Sequence, residues 1–166
     1  MRKYFMILIS LIFIACNANA QIAGQKLVGE GELYYFLLHI YDAKLYSTDG
    51  TFSFEKPFSL KLEYKRKLYG EKIADRSNLE IRKLGFKDEI KLAAWHGQMK
   101  EIFPDVDNDI SITGVYTPNN QTVFYKNDEK IGTIKDPEFG KWFFGIWLNE
   151  KTSEPDLRKS LLGQGK

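Results

Sequence analysis

The chain has 166 residues with 24 basic and 22 acidic side chains, a formal net charge of +2, and a single cysteine. Length points to one domain. Arg2 and Lys3 account for the whole excess of charge, so from Gln21 onward the chain is balanced at 22 basic and 22 acidic residues. That balance excludes a basic nucleic-acid or membrane-surface footprint, and one cysteine excludes an internal disulfide.

Met1 to Ala20 reads as a secretory signal peptide. Arg2 and Lys3 form a basic start, Met6 to Ala15 is an apolar run, and Ala18-Asn19-Ala20 is a small-x-small cleavage signature. The run is too short to span a bilayer comfortably. The expectation is residues 1–20 as the signal and 21–166 as the domain, delivered to the periplasm or secreted. Phe13-Ile14-Ala15-Cys16 loosely resembles a lipoprotein box, which keeps anchoring through Cys16 open as a second processing route.

In chain order, Ile22 to Val28 is expected as an edge strand. Leu33 to Ser47 reads as a central strand pair or one bent strand with a bulge near Tyr41-Asp42, and Thr48-Asp49-Gly50 as a turn. From Phe58 the period is two: Phe58, Leu60, Leu62, Tyr64 and Arg66 fall on one face. After Gly70 it changes to a helical stripe through Ile73, Ser77, Ile81 and Leu84, closed by Gly85. Asp88 to Ile102 is a second helix, capped by Asp88 and ended before Pro104. Asp105 to Asp109 reads as a solvated acidic turn without the closing Glu of a calcium loop.

A meander follows, with strands at Ile110 to Thr117, Thr122 to Lys126 and Lys130 to Ile134, separated by Pro118-Asn119-Asn120 and Asn127-Asp128. Asp136-Pro137 opens a third helix with Phe139, Phe143, Ile146 and Trp147 buried. Ser153 to Asp156 is a capping-box pattern for a last helix through Leu162. Strands and helices in runs indicate α+β, a mainly antiparallel sheet covered on one face by helices. A site belongs between the two layers.

The residues that do not fit a plain core are Arg66, Tyr69 and Arg76. An inward guanidinium cannot discharge and needs an anion. The other reading is structural, with Arg76 pairing along its helix with Glu80. No nucleophile motif, phosphate loop or metal-ligand cluster is legible, so no metal is assigned. His39 and His96 read as structural, with haem binding through one of them as the further alternative.

The chain resembles the chalcone isomerase-like family, in its exported bacterial branch. The residues that carry the likeness include Tyr41-Asp42-Ala43-Lys44-Leu45-Tyr46, Leu68-Tyr69-Gly70-Glu71-Lys72-Ile73-Ala74, Thr113-Gly114-Val115-Tyr116 and Phe143-Phe144-Gly145-Ile146-Trp147-Leu148. The resemblance implies an open-faced β-sandwich, and one of three activities: cyclisation of chalcones, fatty-acid binding or haem binding. Against the plant enzymes' cleft, their Tyr corresponds to Tyr69 and their Asn to Arg76. Their Thr falls where Tyr41 is the hydroxyl on offer, and their terminal hydroxyl residue falls near Ile146. Their Arg falls between Gly29 and Leu33, where this chain carries Glu30 and Glu32 instead.

A cation moved rather than lost suits capture of a carboxylate-headed apolar ligand better than ring closure. The expected function is therefore a non-catalytic binder of a small apolar anionic ligand such as a fatty acid. Tyr41, Arg66, Tyr69 and Arg76 would form its site, with no cofactor, no nucleic-acid partner and no membrane span. The alternative is an isomerase or intramolecular lyase with Tyr69 steering protons.

Overall fold

The structure is a computed structural model that describes residues 21–165; the expected signal peptide and Cys16 lie outside the described residues. Six strands form one antiparallel sheet in sequence order: β1 (Lys26–Tyr35), β2 (Leu38–Ser47), β3 (Phe58–Tyr64), β4 (Ser111–Tyr116), β5 (Thr122–Lys126) and β6 (Glu129–Ile134). Helices α1 (Gly70–Lys83) and α2 (Glu89–Ile102) stand between β3 and β4, and α3 (Phe139–Leu148) and α4 (Pro155–Leu161) follow β6. The α+β, open-faced architecture is the expected one. Among the described residues no helix is long and apolar enough to cross a membrane.

Alternation along the strands decides which face is covered. Ala43 and Leu45 of β2 and Phe58, Leu60 and Leu62 of β3 are buried, while Lys44, Lys61 and Glu63 on the alternate positions are only half-buried. On the covered face α4 packs against β1 and β2, α2 against β6, and α1 and α3 against each other. The core between the layers is strongly aromatic: Phe139 stacks on Phe143 with centroids 5.2 Å apart, and Trp95 stacks on Phe86 at 4.6 Å. Each such side chain stabilises the fold by roughly 1.5–3 kcal/mol when fully buried. The one polar atom of the Trp95 ring is satisfied, because its Nε1 donates to Asp136 Oδ2 at 3.0 Å.

Local chemistry accounts for most boundaries. Asp88 caps α2 by accepting from Ile90 N and Lys91 N, and Gly85 takes a φ of +104° just past α1. Asn119 and Asn127 supply the positive φ of the two meander turns.

The departures from expectation are each physical. Ile22 lies in a turn, and the first strand starts later and runs to Tyr35. Leu33–Ser47 is split by a turn at Phe36-Leu37 into the end of β1 and the whole of β2. The register skips Ile40 rather than Tyr41-Asp42. β3 ends at Tyr64, so Arg66 leaves the sheet in a bend instead of continuing the buried face. Asp136 tethers the turn before α3 through Glu138 N at 2.9 Å, and the helix itself begins at Phe139. The acidic loop does structural work: Asp105 Oδ1 accepts from Gly70 N at 2.9 Å and closes the N-terminus of α1.

Candidate functional site

A cavity of about 300 Å³ lies beneath the helices at the end of the sheet where β1 turns into β2. Leu33 and Ile40 line it from the hairpin, Leu62 from β3, Ile73 from α1 and Ile146 from α3. The enclosing surface is overwhelmingly apolar. Its volume sits at the small end of the range for ligand pockets.

Two phenols stand in this apolar wall. Tyr41 from β2 and Tyr64 from β3 are register partners whose rings meet edge to face at 5.8 Å. Trp147 Nε1 donates to the Tyr41 hydroxyl at 2.9 Å, joining α3 to β2. The Tyr64 side chain is buried beside it. Burial pushes both phenols far above their usual range, so both stay protonated across the physiological range.

The polar end of the cavity is built on Glu80, which is only 5% exposed. Ser153 Oγ donates to it at 2.6 Å, Lys83 Nζ lies 3.0 Å away and Arg76 Nε 2.9 Å away. Burial alone would raise this carboxyl. The hydrogen bonds from Ser153 and Lys83 and the charge of Arg76 more than offset that, and it ends below its ordinary value. Ser153 therefore spends its hydroxyl on Glu80 rather than on a capping box; α4 starts at Pro155 with no side-chain cap.

Glu154, also in the wall, behaves oppositely. Burial raises its carboxyl, Arg76 pulls it back, and neighbouring Glu80 pushes it up again. Arg76 itself is 55% exposed, with its Nε 2.9 Å from Glu80.

Of the four expected site residues, the structure brings Tyr41 and Arg76 to the cavity and leaves Arg66 and Tyr69 outside its lining. Tyr69 is 56% exposed at the start of α1, under Lys67 Nζ at 5.4 Å from the ring centroid. Tyr64, Glu80 and Glu154 were not singled out. Tyr64 was visible as the last member of a buried strand face, and Glu80 only as the partner of Arg76. Glu154 lies in a loop whose placement no periodicity encodes.

Neither histidine reaches the cavity lining. His96 Nε2 lies 2.9 Å from Asp75, and His39 stacks on Tyr34 at 4.5 Å. The sequence shows no metal-ligand cluster, yet cross-strand register gathers one: donor atoms of Glu32, His39 and Asp42 lie within 4.8 Å of one another. The other Asp42 oxygen is already 3.0 Å from Lys65 Nζ, so this cluster carries its own cation.

The family model described as chalcone isomerase-like matches residues 14–163, and the chain belongs to that family. No curated protein matches by sequence. Among solved structures, the chain is similar to a fatty-acid binding protein of Arabidopsis thaliana. The TM-score is 0.65 at 12% identity, over 86% of this chain and 88% of that one. At that identity the likeness concerns the fold.

Proposed function

We propose that this chalcone isomerase-like protein binds, without transforming, a small apolar ligand carrying a carboxylate, such as a fatty acid. The observation that carries the reading is an apolar cavity whose polar end holds a half-exposed arginine. A guanidinium offers five donors in a fixed fork, so one edge can stay on Glu80 while the other takes a carboxylate. The apolar tail then occupies the wall of Leu33, Ile40, Leu62 and Ile73. Tyr41 and Tyr64 are the hydroxyl partners within it; Arg66 and Tyr69 drop out of the ligand set. The fold shared with a fatty-acid binding protein supports the same reading. We also propose that the protein works outside the cytoplasm, on the strength of the signal-like Met1 to Ala20.

Native mass spectrometry of protein taken directly from cells tests this. A retained fatty acid, lost in Arg76→Gln and kept in Arg66→Gln, is the expected result. Arg76→Gln should fold normally, because Arg76 is itself half exposed and Lys83 and Ser153 remain on Glu80. Equal lipid content in wild type and Arg76→Gln removes the assignment.

A further inference from the structure

The β1–β2 hairpin ends in an apolar tip whose apex, Phe36 and Leu37, lies outside the cavity lining. Phe36 and Leu37 form its turn and are 85% and 95% exposed, while Tyr34, Tyr35 and Leu38 beside them are about half exposed. Phe36 holds a φ of +54°, a backbone state that favours glycine or asparagine at hairpin turns. An aromatic residue there is unfavourable for the turn, so neither folding nor solubility accounts for it.

We propose that this tip inserts into the interfacial layer of a lipid bilayer and sets the cavity mouth against the membrane. Four features of the tip and its surroundings point to a bilayer rather than a protein groove or a second copy. The tip is convex and only five residues long, whereas a stable dimer interface takes about 20–30 residues a side. Its order is that of a membrane interface, with Phe36 and Leu37 at the apex and the amphipathic Tyr34 and Tyr35 behind them.

Cations flank it: Lys65 N donates to Ile40 O at 2.9 Å, which sets Lys65-Arg66-Lys67 beside the hairpin, and Lys72 stands in the cavity wall. Lys65 is already engaged by Asp42 and Glu63. Arg66 has no ionic partner among the described residues and is free for an anionic headgroup. Finally, Tyr34 and Tyr35 belong both to the tip and to the cavity lining, so a ligand leaving the membrane at the tip enters the cavity directly. A balanced net charge rules out a purely electrostatic footprint, and an apolar tip with a few local cations does not require one.

The purpose assigned here rests on the ligand-binding reading, but the insertion is measured separately. The chain from Gln21, which carries every strand and helix of the fold, is sedimented with vesicles of equal parts phosphatidylglycerol and phosphatidylcholine. Wild type should co-sediment. Phe36→Asp combined with Leu37→Asp should lower partitioning by at least about tenfold, since each buried apolar side chain is worth more than that factor. The same variant should still take up palmitate in vesicle-free solution, as neither residue lines the cavity. Arg66→Gln should weaken binding to the mixed vesicles and leave binding to pure phosphatidylcholine unchanged.

Wild type remaining in the supernatant, or the double aspartate variant sedimenting as well as wild type, overturns the proposal. So does sedimentation equilibrium showing a wild-type dimer that the variant converts to monomer, which would make the tip a self-association surface. Loss of palmitate uptake by wild type with vesicle binding intact would instead remove the cavity reading.

Discussion

Trp147 and Tyr41 lie 106 positions apart in sequence, and the indole Nε1 meets the phenol oxygen at 2.9 Å inside the cavity wall. This single hydrogen bond fastens the last turns of α3 to β2, the strand that carries the hairpin. Both side chains are under 10% exposed, so water does not replace a lost partner. Trp147→Phe leaves the Tyr41 hydroxyl buried without its donor, a change costing about 1–3 kcal/mol for the unsatisfied group, with lost packing in addition. Urea denaturation should show that loss. The combination of Tyr41→Phe with Trp147→Phe should be less destabilising than the sum of the single changes, because the second removal strands no further group.

The two cavity carboxylates should give stability opposite dependences on pH. Glu80 is held below its ordinary value in the folded state, so its contribution is fully present above the unfolded pKa and is lost as pH falls through the folded one. Glu154 is raised, so its ionised form weakens the fold at neutral pH, and the penalty disappears as pH falls below its unfolded value. Thermal melts of Glu80→Gln should therefore lie below wild type at neutral pH, with the gap closing on acidification. Melts of Glu154→Gln should lie above wild type at neutral pH and converge with it in acid. Asp49, Glu63 and Asp75 are also lowered by their partners, so the difference from wild type, not the acid limb itself, is the quantity to compare. Parallel pH profiles for both variants would contradict the assignment.

Much of this architecture was legible in the sequence because it rests on local signals. Period-two burial announced β3, Asp88 and Gly85 marked helix ends, and Asn119 and Asn127 marked turns. The site was less legible because it is made by register and by loop placement. Alternation carried Arg66 to the buried face, but the strand stops at Tyr64, where Tyr64 N pairs with Ile110 O and the chain bends away toward α1. Arg76 was found for its charge, while Glu80, the better buried of the pair, read as an ordinary helix neighbour. Ser153 had the pattern of a cap, and only the tertiary approach of α1 turned its hydroxyl to Glu80.

Gly70 illustrates a constraint that sequence conceals. A Cβ at this position would meet the carbonyl oxygen and carbon of Phe103 inside any permitted contact, and the residue also donates its N–H to Asp105 at 2.9 Å. Backbone is on both sides, so no side-chain rotation relieves the clash. Gly70→Ala should destabilise by at least the roughly 1–3 kcal/mol typical of overpacking. It should also shift the start of α1, displacing Ile73 and Arg76. Gly97→Ala is the matched comparison, because a Cβ there meets nothing within 4 Å. That variant should melt at or slightly above wild type, since alanine favours a helix interior over glycine.

Volume and charge make separable contributions to ligand capture. Ile73 lines the cavity from α1 and is half-buried, one turn before Ser77 and well placed to grow into the empty space. Ile73→Trp should narrow the roughly 300 Å³ cavity and leave Arg76 and its ion pair with Glu80 in place. If the cavity is where the apolar tail resides, palmitate uptake should fall by at least tenfold, equivalent to about 1.4 kcal/mol. The melting temperature should stay near that of wild type, because the added ring fills a void rather than a packed core. A fluorescent fatty-acid displacement assay on folded protein reads the result. Unchanged uptake by Ile73→Trp together with lost uptake by Arg76→Gln would mean that the head group is held at the surface and the tail lies elsewhere.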